Sequence, residues 1–349
     1  MFFRLCSLQL AAVGLLACSP APAPAQTAGS SPFADLYDDR TLDYWHRRYH
    51  PNLRYNFDTL IIGSLSPDER AGVRGLVFDV PVRHEGDPLT WFARPGSQPL
   101  ITVSTASVRF LDDIAIAFAW LETNGYSVES ISYYASVLKY RPLGQLPSGT
   151  HPAPLDALGI PSDALSDGTV DEDSQKLLKS AVVFLLAHEL GHVVHGHRLD
   201  VPAADRQRQE MEADRFAVTT FRRIGTAPIG AVPLFFLSTY LGKHRADFDS
   251  DAAWTAHLRT SATHPLSSAR LRALASEFRH RPQEFVHAEP RPEAALRGLG
   301  VLPARLDSIA ALLDDPLLVR HARIVGTQIP LRELGPRRPG RSWIPPDIR

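Results

Sequence analysis

The run His188-Glu189-Leu190-Gly191-His192, set directly behind the apolar stretch Ala181–Ala187, constrains this chain more than any other feature. The apolar stretch predicts a helix buried on all sides, and the run continues it. Three ionisable side chains on a buried helix are costly unless the interior gives them partners. Residues four apart on a helix stand almost one above the other. Two imidazoles at that spacing can close on one cation, and the carboxylate beside the first can hold a water there and take its proton. The pattern is the H-E-x-x-H of zinc sites. A helix that carries it by chance, without metal, is the competing reading, and the apolar context weighs against it. Gly191 costs roughly 1 kcal/mol against alanine inside a helix. Its missing side chain predicts a close neighbour, either a strand or a bound substrate. His195 and His197 extend the cluster and read as polar residues at the helix end, with a role as further ligands the alternative.

A catalytic zinc of this kind takes three protein ligands and keeps one position open. The third is sought in Glu210-Met211-Glu212-Ala213-Asp214. On a helix, Glu210 shares a face with Ala213, Asp214, Ala217 and Phe221, small and apolar apart from its two acids. Glu212 shares a face with Arg208, Arg215 and Thr219, which reads as solvated, with the arginines placed to pair with it. Glu210 is therefore assigned to the metal, one Zn2+ per chain. Asp214, one turn on, is placed to accept the ring N–H of a ligating histidine.

Around these helices the pattern predicts an α+β, predominantly helical fold. Leu76–Val82 and Leu100–Val108 suit short strands, with a turn at Trp91–Gly96 between them. Phe110–Glu122 reads as a helix stopped by Gly125. His151–Val170 is rich in Pro, Gly and Asp and reads as a long loop, so that 123–173 is a candidate lid. Asp173 or Ser174 is the expected cap of the His188 helix, which should run to about His195. Asp200–Pro202 should start the Glu210 helix, ending near Gly225 with Arg222 and Arg223 at its negative end. Ala227–Leu241 reads as a core helix, too short and too interrupted by proline to span a membrane. Further helices are expected from His264-Pro265 to about His280 and over Leu302–Leu313, each with proline in its first turn. The expected division is a zinc-site domain over 33–285 and a C-terminal helical extension over 286–349 with a basic, proline-rich tail.

The start of the chain reads as an export signal. Residues 1–17 carry Arg4 and then an apolar run too short to span a bilayer. Leu15-Leu16-Ala17-Cys18 resembles a bacterial lipobox, which would place a lipid on Cys18. Plain cleavage after Ala23-Pro24-Ala25 is the alternative, and either route exports the protein. Residues 18–32 read as a flexible tether rich in Pro, Ala and Ser. Cys6 and Cys18 are the two cysteines, so an exported body has no disulfide and no cysteine ligand. By resemblance to lipoproteins, Ser19 after the cysteine favours the outer membrane over the inner. The expected place is the periplasm, with the lipid as the sole membrane contact. A net charge of −1 argues against a nucleic-acid partner.

Taken together, the motifs at 188–192 and 210–214 resemble the HtpX and CAAX prenyl protease family of gluzincins, nearest its soluble BepA-like members. Phe92-Ala93-Arg94-Pro95-Gly96 with Ile101-Thr102-Val103, and Thr263-His264-Pro265 with Arg270, are similar to two further segments of that family. Trp91 stands where the family often has asparagine. The resemblance implies a gluzincin fold with a small edge sheet beside the active-site helix. It implies that a polypeptide substrate binds as an added strand near Ile101–Val103, and that His264 enters the site. The expected activity is zinc-dependent cleavage of peptide bonds in exported proteins, in the service of quality control. In it Glu189 is the proton carrier, and His264 is either an oxyanion donor or a fourth ligand. A zinc-bearing chaperone or assembly factor with little turnover is the alternative. Oligomeric state is not written in the sequence.

Overall fold

The computed structural model describes residues 33, 35–83, 89, 91–198, 201–260 and 264–340. The export segment, Cys18, the tether and Thr263 lie outside the described residues. Among the described residues three strands, β1 (Val77–Asp79), β2 (Trp91–Arg94) and β3 (Leu100–Val103), lie among twelve α-helices. These are α1 (Asp39–Asn56), α2 (Pro67–Gly72), α3 (Thr105–Thr123), α4 (Glu129–Tyr140), α5 (Pro154–Ala157), α6 (Gly168–Val194), α7 (Ala203–Ile224), α8 (Ala231–Leu241), α9 (Asp251–Thr260), α10 (Ser268–Arg279), α11 (Pro292–Asp314) and α12 (Leu318–Gln328). The fold is α+β and predominantly helical.

The long helix α6 is the axis. From Ser180 to Val193 every residue is buried, and α3, α7, α8 and β2 pack around it. Length and apolarity alone would let α6 cross a membrane, but its apolar window is 83% buried within the protein, so it is a core helix. Asp167 caps it, accepting from Thr169 N (2.8 Å). Asp173 and Ser174, the expected caps, fall inside the helix, because the Asp167 carboxylate meets the first free N–H groups two turns earlier.

The sheet has the order β1-β3-β2, with β1 parallel and β2 antiparallel to β3. The segment read as an aromatic turn is therefore strand β2. Trp91 and Ala93 alternate inward, a period of two that Pro95-Gly96 had obscured. The register pairs Val77–Asp79 with Leu100–Thr102 on one edge of β3 and Trp91–Arg94 with Leu100–Val103 on the other. Ile101 and Thr102, near which the substrate strand was expected, are thus paired on both edges within the sheet.

Two expected peripheral segments are core. Within 123–173, the candidate lid, α4 buries Ser130–Leu138 and packs on α8 and α12. Its serines conceal this in the sequence, because their hydroxyls are spent on backbone carbonyls: Ser132 Oγ donates to Glu129 O, Ser136 Oγ to Ser132 O and Ser130 Oγ to Gly335 O. The extension beyond 285 is also part of the main body. Leu299, Leu302, Leu306 and Ile309 on α11 are buried, and α11 packs on α10 and α8. Helix α12 crosses α4 so closely that a Cβ on Gly326 would fall 2.2 Å from Ser136 O. Pro292 takes the first turn of α11, which leaves Pro303 inside the helix. Likewise Ser267 caps α10, accepting from Arg270 N, so His264-Pro265 precede the helix in a loop.

Candidate metal centre

Two helices make the site because one lacks a side chain. A Cβ on Gly191 would lie 3.0 Å from Ala213 Cα and 3.0 Å from Phe216 Cβ. The close neighbour expected at Gly191 is thus α7, neither a strand nor a substrate. Ala213 and Ala217 are fully buried in this seam. The approach sets Glu210 opposite His188 and His192, one helical turn from Asp214, on the face that the sequence pattern had marked.

Donor atoms of His188, His192, Glu210 and His264 all lie within 4.8 Å of one another. His188 Nε2 is 3.1 Å from His192 Nε2. Glu210 stands 3.4 Å from each of these nitrogens, through Oε2 and Oε1. His264 Nδ1 is 3.3 Å from His188 Nε2 and 3.1 Å from Glu210 Oε1. Zinc bonds of roughly 2.0–2.2 Å in a tetrahedron put the ligand atoms about 3.3–3.6 Å apart. The observed edges match that spacing, and two nitrogens with a carboxylate oxygen are ordinary zinc donors, so the residues fit the ion. Glu212, the rejected candidate, points away from this centre.

Charge behind the donors is arranged to match. Asp214 Oδ1 accepts from His188 Nδ1 at 2.9 Å. Arg270, 4% exposed, grips the same carboxylate through Nε and Nη2, each at 2.9 Å, and reaches Glu210 Oε2 from Nη1 at 2.8 Å. Burial raises the pKa of both acids, but for Glu210 the charges of His264 and Arg270 win and hold it well below the usual range. Asp214 is lowered in the same sense, against burial, chiefly by Arg270. Burial also disfavours charge on the histidines. At His188 the bonds to Asp214 and Glu210 overcome it and raise the ring to about 10. At His192 burial prevails and lowers it to about 4.

Glu189 is fully buried, and neither of its carboxylate oxygens has a hydrogen-bond partner. His264 Nε2 lies 3.3 Å from Oε1, within ion-pair distance but not hydrogen-bonded to it. A carboxylate left bare in the interior beside a group of metal donors is a strong mark of function. The structure therefore brings together His188, Glu189, His192, Glu210, Asp214 and His264. The sequence pattern had set His197 at the helix end and Glu212 among arginines, and the structure joins the two to each other and to His192. His197 is buried, with Nδ1 2.9 Å from His192 Nδ1 and Nε2 3.1 Å from Glu212 Oε2. Gly196, in the left-handed region that ends helices, was the available signal that residue 197 folds back over residue 192.

Comparison with known proteins gives the class first: the chain is similar to a family of peptidases. That family is Peptidase U49, whose model matches residues 161–289 and so spans every site residue from His188 to Arg270. No curated protein and no solved structure matches the chain. The match supports a protease, without reaching the HtpX and CAAX prenyl protease grouping.

Proposed function

We propose that the protein is a zinc-dependent endopeptidase of the gluzincin kind, acting on exported or envelope proteins in quality control. One observation carries the reading: four metal-donor side chains converge beside a buried glutamate whose oxygens accept no hydrogen bond. His188, His192 and Glu210 hold the ion, with Asp214 behind His188. A zinc ion in this place supplies Lewis acidity, acidifying water and polarising a peptide carbonyl. Glu189 takes the proton of the attacking water on its free carboxylate and delivers it to the leaving amine. Burial of Glu189 keeps bulk water from competing for that proton. His264 offers an N–H to the developing oxyanion. The sheet edges left for an added substrate strand are the outer ones, of β1 or β2. Export, and an outer-membrane anchor at Cys18, belong to the same proposal and rest on the sequence pattern.

In the test, Glu189→Gln retains stoichiometric zinc and loses hydrolysis of an unfolded casein-type substrate. Undiminished hydrolysis in that variant removes Glu189 from the mechanism. The placement of His264 favours a second reading, a zinc-bearing chaperone or assembly factor with little turnover. Four protein donors are the complement of a closed site. Under that reading His264→Ala raises cleavage; if His264 serves the oxyanion, the same variant lowers it.

A further inference from the structure

We propose that Glu212, acting through His197, fixes the tautomer and orientation of His192. A chain of three side chains would then run from the surface of α7 to the cation centre. The inference rests on the metal reading above and extends it to two positioning residues.

The chain begins in the way α6 ends. The helix stops at Val194, and Gly196 turns left-handed at φ 62°. Gly196 N–H donates to Val193 O at 3.1 Å, and His197 N–H donates to His192 O at 3.0 Å. These two bonds are the Schellman ending, which returns the residue after the glycine over the last full turn. Such endings usually place an apolar contact there. Here two imidazoles meet instead, ring centroids 4.9 Å apart and planes at 75°.

Their facing Nδ1 atoms are 2.9 Å apart, and such a contact holds one proton. Two neutral arrangements satisfy it. In the first, His192 Nδ1–H donates to His197 Nδ1, and His197 Nε2–H donates to Glu212 Oε2. The second reverses the proton, which turns a bare His197 Nε2 toward a carboxylate oxygen 3.1 Å away. A carboxylate only accepts, so Glu212 selects the first arrangement. His192 Nε2 is then the unprotonated nitrogen. It faces His188 Nε2 at 3.1 Å and Glu210 Oε1 at 3.4 Å, the direction of the cation centre. Both rings are only 8% exposed, so water is a poor substitute for either bond. Carboxylates do this to metal-binding histidines by direct contact. Here a second imidazole carries the effect across α7.

The test uses the full chain with His197→Phe, Glu212→Gln and the double variant. Zinc affinity is read by competition with a chromophoric chelator, and the His192 tautomer by 15N imidazole shifts in metal-free protein. Each single variant should bind zinc about 10–100-fold more weakly than wild type. The double variant should be no weaker than His197→Phe, because Glu212 acts only through that ring. Metal-free Glu212→Gln should gain an Nε2–H form of His192 that wild type lacks. The proposal is overturned if both single variants hold zinc within roughly twofold of wild type, if their losses simply add, or if the tautomer is unchanged. Wild-type protein that takes up no zinc removes the metal reading, and the 15N measurement then still decides the relay.

Discussion

The two metal-facing histidines sit one helical turn apart on α6 yet are held by different means. His188 rests directly on Asp214, which is itself gripped by Arg270 from α10, and all three are nearly sealed from solvent. His192 rests on His197, supplied by the end of its own helix, and on Glu212, whose side chain is 42% exposed. Tertiary packing of three helices secures the first, and a local turn with one cross-helix bond secures the second. A buried ion pair loses several kcal/mol when one partner is removed, whereas an exposed pair contributes little. The flanks should therefore differ in what they cost to break.

The largest effect is expected at Asp214. Asp214→Asn replaces the carboxylate that Arg270 grips twice with a neutral amide and leaves Glu210 as its charged partner, which should cost about 3 kcal/mol of stability, the lower end for a broken buried pair. It should also weaken zinc binding by ~100-fold, at the upper end for such supporting groups. Denaturant unfolding of the metal-free protein and chelator competition measure the two. Glu212→Gln should cost no more than about 1 kcal/mol in the same unfolding experiment. Equal destabilisation by the two substitutions would erase the contrast between the flanks.

Next comes the seam that serves both. Gly191→Ala drives a methyl group into Ala213 and Phe216 on α7. Overpacking of this kind costs about 1–3 kcal/mol. Because α7 carries Glu210, Asp214 and Glu212 together, the variant should weaken zinc binding through both histidines. A thermal melt and a zinc titration check this. An unchanged melting temperature would show that the helices part freely, and that Gly191 is not what sets their distance.

How far the site could be read beforehand follows the same division. His188, Glu189 and His192 lie on one helix at a spacing that has few other uses, and the small face of α7 separated Glu210 from Glu212. What helical periodicity could not supply was the turn after α6. On periodicity Glu212 faces two arginines, but Arg208 pairs with Asp205, and Glu212 turns to a histidine that reaches it through Gly196. The same limit applies to the fold. Serine-rich α4 looks solvated until its hydroxyls are seen bonded to backbone carbonyls. β2 was hidden by its proline-glycine flank, and α11 was cut short because Pro303 resembled a start.

The smallest effect separates the flanks by protons. Against burial, the bonds to Asp214 and Glu210 raise His188 to about 10, while burial lowers His192 to about 4, so at pH 6 the first ring should be charged and the second neutral. The extra proton on His188 Nε2 lies toward His192 Nε2, 3.1 Å away, and Glu210 Oε2, 3.4 Å away, and occupies the direction a cation would take. Zinc must displace it. Uptake at pH 6 should therefore release about one proton per ion, and apparent affinity should rise roughly tenfold per pH unit toward neutrality. Calorimetry in two buffers of different ionisation enthalpy counts the protons. Asp214→Asn removes a charge that holds this proton, so the count should fall toward zero at pH 6. Glu212→Gln should leave it at about one, because His192 is neutral with or without its relay. A wild-type count near two would mean that both rings are charged and that the flanks are electrostatically alike.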